Sequence, residues 1–404
     1  MKSDIKSMIP TVYLPEVFFE TAMGAIMPIV AIDATLLGAS VFEASIVMLL
    51  LCLGQVLADI PAGKLASIIG DRLSMMLGAL LASALFLILY LTNDWIQHAI
   101  CIFVLGAINA IFMLARQSYV TEVISPKFRA RALTTLGGVI RIGIFLGPLF
   151  TALLTDEKSV NNIYLFASML SLITLAILII VKLVYKRIEV WQKDTQSVTP
   201  ISNTKEFNAR NIFQKHYKLF MTLGIAVLLI SLIRAGRQTG LPLLGQEILL
   251  NPQLIALVYG ISGFFEVITF YPAGKIMDTF GRLYVAIPSM IAMTLGMFVL
   301  VFTADFWSYL LVAAFLGIAN GTSSGIVMTL GADVAPVTYR TKFLSIWSLL
   351  RDTGNMLGPL TISLGIAIHS LSLGIGLTAG FGIGATMLLI IYVPKYSAYA
   401  RIQK

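Results

Sequence analysis

The sequence predicts an all-α polytopic membrane protein with twelve transmembrane helices in two pseudo-symmetric six-helix bundles. Three observations carry that expectation: the composition, the spacing of apolar runs, and an internal repeat at one offset. Of 404 residues, 58% are hydrophobic and 12% charged, and the mean hydropathy is +0.90. That charged share is about half the usual value for soluble chains, which excludes a water-soluble enzyme and any disordered or fibrous class. A membrane-spanning helix takes about 20 residues, so twelve fit with short connections.

Apolar runs divided by charged and turn-rich breaks place the spans at 8–30, 41–63, 73–92, 98–122, 132–154 and 162–184, then 217–243, 253–276, 283–304, 308–331, 343–367 and 372–393. Glu16 and Glu20 interrupt the first run and no small-residue cleavage site follows, so it reads as a helix and not a cleavable signal. The longest polar stretch, 185–216, is read as a cytoplasmic linker between bundles 1–184 and 217–404. Its end, Phe207 to Phe220, sets Phe213 and Tyr217 four apart among Arg210, Lys215 and Lys218; it is either an interfacial amphipathic helix on anionic lipid or an early start of the seventh span. Placing both termini in the cytoplasm puts 22 of the 28 Lys and Arg residues on that side and only Lys158 on an outside loop, which sets the orientation. The net charge of +8 is thus a topology signal and calls for no nucleic-acid partner. Cys52 and Cys101 lie in apolar stretches and imply no disulfide framework or metal centre.

Adding 211 to a position in the first half recovers the same residue at many landmarks. Pro61-Ala62-Gly63-Lys64 maps onto Pro272-Ala273-Gly274-Lys275, Gly70 onto Gly281, Gly106 onto Gly317, Asn109 onto Asn320, and Arg129 onto Arg340. Gly143, Gly147, Pro148 and Leu149 map onto Gly354, Gly358, Pro359 and Leu360. One ungapped offset over four spans of each half predicts parallel repeats about an axis along the membrane normal.

The stretch from Gly63 and Lys64 through Gly70, Asp71 and Arg72 resembles the loop 2–3 signature of the major facilitator superfamily. Gly274-Lys275 through Asp278, Gly281 and Arg282 is the better copy, because Ser67 stands where the family has an aspartate. The resemblance implies gating by alternating access, with Asp59, Gly63, Lys64, Asp71, Arg72, Asp278 and Arg282 at the cytoplasmic gate. Lys64 after a glycine does not make a phosphate loop: no glycine stands five before Gly63 and Ser67 is too late for a metal ligand. Gly143, Gly147 and Pro148 in the fifth span resemble the antiporter motif of family exporters, although Leu149 to Ala152 replace its trailing glycine pair. The same spacing recurs in the eleventh span, so packing symmetry is an equal reading.

An ionisable side chain at the bilayer centre costs about 2.5–3.5 kcal/mol on insertion scales, and several of them imply a polar cavity. Glu16 and Glu20 share a face of the first span, as Arg234 and Arg237 do in the seventh. The remaining candidates are Arg116, Arg141, Glu266, Arg351 and Asp352. Arg116 either faces the cavity or pairs with Glu122; Arg141, Glu266, Arg351 and Asp352 read as a charge network; Tyr13 and Asn109 are either polar liners or packing residues.

The residues and the resemblance to bacterial proton-coupled drug and metabolite exporters together imply a secondary active transporter. Glu20, with Glu16, is expected to couple protons. Arg234 and Arg237 are expected to hold the anionic part of a small amphipathic, anionic or zwitterionic cargo, with Glu20, Tyr13, Arg116 and Asn109 also lining its site. A siderophore or metallophore exporter and a proton-coupled uptake permease for a carboxylated solute are the alternatives. The further expectations are no cofactor, a monomer in the lipid bilayer, and a bacterial cytoplasmic membrane location.

Overall fold

The computed structural model describes residues 8–124, 126–155, 160–189, 209–323, 325–336 and 340–402. Almost every described residue is helical, and the described part contains no strand. The helices are α1 (Ile9–Ile26), α2 (Val30–Leu36), α3 (Val41–Ile69), α4 (Asp71–Leu91), α5 (Trp95–Val123), α6 (Pro126–Leu154), α7 (Asn162–Glu189), α8 (Ala209–Lys215), α9 (Tyr217–Glu247), α10 (Pro252–Thr279), α11 (Leu283–Leu300), α12 (Phe306–Ser323), α13 (Ile326–Val334), α14 (Arg340–Ile368) and α15 (Leu371–Ile402). Among them ten are long and apolar enough to cross a membrane, and α1 with α2 makes an eleventh span bent by 41°. The twelfth, α14, has 29 residues but carries Arg351 and Asp352 and is less apolar. Apolar side chains such as Leu91, Leu153, Phe302 and Trp307 lie exposed, as lipid-facing helix surfaces require.

Local chemistry sets the helix ends. Asp94 caps α5 by accepting from the Gln97 amide at 3.1 Å, and Asn251 caps α10 by accepting from Leu254 at 2.9 Å. Asp305 caps α12 through the Ser308 amide at 3.1 Å; the backbone and hydroxyl bonds from Ser308 hold its carboxyl below the usual carboxylate range. Gly70 (φ 86°) and Gly281 (φ 104°) make the tight turns after α3 and α10 in a region that favours glycine. Gly63 and Gly274 do not take part in those turns. They sit inside the helices, and a Cβ on either would meet nothing within 4 Å.

The chain divides into two compact units, Met1–Ser40 with Leu50–Pro200 and Asn251–Gly260, and Val41–Leu49 with Ile201–Leu250 and Ile261–Lys404. In the first, α1 packs on α6 and α7, and α4 on α5 and α7. In the second, α9 packs on α14 and α15, and α11 on α12 and α15. The pattern is one arrangement used twice, and the seams follow the offset of 211. A Cβ on Gly147 would run into Thr21, Gly24 and Ala25; on Gly358, into Leu232, Ala235 and Gly236. A Cβ on Gly106 meets the Leu51 carbonyl, and on Gly317 the Ser262 carbonyl. A π-helical turn opens α1 at Ile9–Tyr13 and another opens α9 at Phe220–Gly224, again 211 apart. Such turns are rare and are frequent at functional sites.

Candidate functional site: two buried ion clusters

In the first unit α1 turns Glu16 and Glu20 toward α5, where both carboxylates meet Arg116. Arg116 Nη1 donates to Glu20 Oε1 at 3.0 Å and also pairs with Glu16 Oε1. Glu16 is fully buried, Glu20 is 8% exposed and Arg116 3%. Glu16 and Glu20 thus share one face of α1 and one partner, Arg116. The pairing of Arg116 is with these two acids. Stacking of Phe19 on Phe112, with ring centroids 3.8 Å apart, fixes α1 against α5 beside the cluster. With ordinary charges the three groups leave one negative charge in a buried site.

Of the other residues expected here, Tyr13 lies in a packed interior with Met8, Val12, Tyr119 and Val120, and donates to the Ala132 carbonyl at 3.1 Å. Asn109 donates to Met113 Sδ at 3.5 Å, as Gln55 does at 3.7 Å. Arg141 is half-buried on α6.

In the second unit α9 presents Arg237 to α10: Nη1 donates to Ser262 Oγ at 3.0 Å and Nη2 to Glu266 Oε2 at 3.3 Å. Asn320 of α12 donates to the same Glu266 oxygen at 2.7 Å. Arg234, one turn before Arg237, donates to Ser323 Oγ at 2.7 Å, and Ser323 in turn donates to the Asn320 carbonyl at 3.1 Å. Arg237 is 4% exposed, whereas Arg234 is half-buried. This cluster holds two guanidiniums and one carboxylate. Glu266 therefore belongs with Arg237, and the Arg351 guanidinium forks onto its neighbour Asp352 at 2.9 and 3.1 Å.

The residues expected at the cytoplasmic gate separate in the same way. Ser67 turns its hydroxyl back to the Lys64 carbonyl at 2.7 Å, within its own helix. Arg72 reaches Tyr119 Oη at 2.6 Å and covers its ring at 5.1 Å. In the second unit Arg282 pairs with Asp333 at 3.0 Å and donates to the Met277 carbonyl at 3.1 Å. Asp59 and Asp71 are half-buried and Lys64 exposed. The side chains of Asp278 and Glu122, and Lys158 as a whole, lie outside the described residues.

The sequence reading missed Asp33, His98 and Tyr164, which meet inside the first unit. Tyr164 Oη donates to Asp33 Oδ2 at 2.8 Å, and His98 Nδ1 lies 3.3 Å from the same oxygen. Asp33 fell beyond residue 30, where the first span was ended, and His98 stood at the first position of its span, so neither was counted among the charges inside the membrane.

A family model described as Major Facilitator Superfamily matches residues 16–359 and 219–403. The chain is 22% identical to a Na(+), Li(+), K(+)/H(+) antiporter of Planococcus maritimus, over 93% of this chain and 90% of that protein. It is 25% identical to the multidrug resistance protein MdtG of Serratia proteamaculans, over 83% and 78%. Its fold matches the crystal structure of a D-xylose–proton symporter with a TM-score of 0.72 at 16% identity, covering 95% of this chain and 98% of the other. The chain belongs to the Major Facilitator Superfamily, whose members are membrane transporters and not enzymes.

Proposed function

We propose that this transporter is proton-coupled and exports a small amphipathic, anionic or zwitterionic solute across a bacterial cytoplasmic membrane, with both termini on the cytoplasmic side. The observation that carries the reading is the Glu16–Arg116–Glu20 cluster. Two buried carboxylates on one guanidinium hold an excess charge that a single proton neutralises, and a charge without a partner is costly in a low-dielectric interior. Glu20, slightly the more exposed of the two, is the coupling acid; Glu16 anchors Arg116. The antiporter and multidrug relatives support exchange and export.

Arg234 supplies the contact for the anionic part of the cargo. A planar guanidinium forks onto a carboxylate or phosphate in a way that lysine cannot copy. Arg237 is more deeply buried and already engaged by Ser262 and Glu266, so it holds Glu266 in place and does not touch the cargo.

The test uses purified protein in liposomes with internal pyranine. A panel of carboxylates, organic phosphates, amphipathic cations and Na+, Li+ and K+ is added against an imposed pH gradient. A solute that drives proton movement through the wild type, but not through Glu20→Gln, is the expected result. If Glu20→Gln keeps the wild-type proton flux, Glu20 is not the coupling acid. If only the inorganic cations drive flux, the anionic cargo is wrong.

A further inference from the structure

Beyond the two ion clusters, the first unit buries a third set of titratable side chains. Asp33, His98 and Tyr164 come from three helices, α2, α5 and α7, and are 4%, 0% and 0% exposed. The Asp33 carboxylate meets Tyr164 Oη and His98 Nδ1 through one oxygen, Oδ2. No Lys or Arg among the described residues pairs with Asp33. The groups facing it are therefore His98 from α5 and Tyr164 from α7, with Cys101 of α5 near Tyr164. Asp94, at the start of α5, is occupied with the Gln97 amide.

Proton counting shows what this arrangement holds. Tyr164 gives its only proton to Oδ2. The His98 ring stands beside the same carboxylate, with Nδ1 3.3 Å from Oδ2, and both of its buried ring nitrogens lack a hydrogen-bond partner among the described residues. A neutral imidazole carries no charge to offset the carboxylate, so neutralising this buried pair takes one additional proton. That proton sits on either the ring or the carboxyl. With it, the site is a neutral acid beside a neutral ring, or an imidazolium–carboxylate pair. Without it, a buried negative charge remains with one phenol donor.

The site is distant from the first. Glu20 and Asp33 are thirteen residues apart, about 20 Å at 1.5 Å per residue along a continuous helix, and the 41° bend lies between them. We infer that Asp33, His98 and Tyr164 form a second proton-binding site, separate from Glu16, Glu20 and Arg116, whose proton is shared between the Asp33 carboxyl and the His98 imidazole. It binds α2, the segment past the bend, to α5 and α7.

The inference is independent of which solute is carried. The chain has three histidines, His98, His216 and His369, so the full-length double variant His216→Gln/His369→Gln carries His98 as its only histidine. Protein labelled with 15N-histidine, in detergent, is titrated by NMR across the folded pH range. In that background Asp33→Asn is expected to displace the His98 midpoint by about one pH unit or more. Tyr164→Phe, which keeps the ring and removes one donor, is expected to displace it less. Glu20→Gln is expected to leave it in place. A His98 titration that neither Asp33→Asn nor Tyr164→Phe moves overturns the shared proton. An effect of Glu20→Gln as large as that of Asp33→Asn overturns the separation of the two sites. Tyr164→Phe also answers the question if Asp33→Asn fails to fold.

Discussion

In the first unit, α1 and α5 bring two glutamates onto one arginine; in the second, α9, α10 and α12 bring two arginines to one glutamate. The helices that carry these groups are repeat mates, yet the charges are not. At the offset of 211, Glu16 and Glu20 correspond to Val227 and Ser231, and Arg116 to Val327. Arg234 and Arg237 correspond to Met23 and Ile26, and Glu266 to Gln55. Only Asn109 and Asn320 match, one bonded to a thioether and the other to a carboxylate. The repeat therefore fixes the scaffold, and each half carries its own electrostatics on it. Small residues at the seams must recur because backbones touch there. Charged residues need only meet partners on a neighbouring helix, and they are placed to opposite effect, acid excess in the cluster of one unit and base excess in that of the other.

The largest expected effect comes from removing the arginine of each cluster. Arg116→Met strands two buried carboxylates and should cost about 3–5 kcal/mol, the scale for breaking a buried pair. Arg237→Met leaves Glu266 still accepting from Asn320 and should cost less. Chemical or thermal unfolding in mild detergent compares them; an equal cost would contradict the difference in charge balance.

Next come the seams, which should respond alike. Gly147→Leu and Gly358→Leu each force a side chain into a facing helix backbone, and each should cost about 1–3 kcal/mol. Unequal losses of folded yield and melting temperature would weaken the repeat as the organising element. As a control, Gly63→Ala and Gly274→Ala point into open space in these helices and should change stability by less than about 1 kcal/mol. The smallest effect is expected at the surface pair. Arg282 and Asp333 are partly exposed, with side chains 25% and 41% accessible, so Arg282→Ala should cost at most about 1 kcal/mol in stability. A slowed transport cycle with unchanged melting would mark the pair as part of the gate.

Much of the fold was legible because it rests on period and repetition. Apolar runs located the long helical spans to within a few residues at most ends, and the offset of 211 paired the glycines that occupy matching seams. The clusters were legible in part. Glu16 and Glu20 share a face by spacing alone, and so do Arg234 and Arg237. Their partners were not legible, because Arg116 lies 96 residues from Glu20 and Arg237 lies 29 from Glu266, and only packing decides such pairs. Asp33, His98 and Tyr164 escaped for another reason. The first span was ended at residue 30, whereas the chain bends between Ile26 and Val30 and continues as α2 to Leu36, which places Asp33 in the interior.

The claim that the acid-rich unit carries the proton is tested most directly by comparing the two isosteric acid removals in one assay. Everted membrane vesicles are energised by respiration, acridine orange reports the interior acid, and solutes of the same panel are added in turn. The account predicts that Glu20→Gln abolishes solute-induced loss of the pH gradient, while Glu266→Gln retains it with a higher solute concentration for half effect. Loss of coupling in Glu266→Gln, with a wild-type response in Glu20→Gln, would place the proton in the other unit and contradict the account.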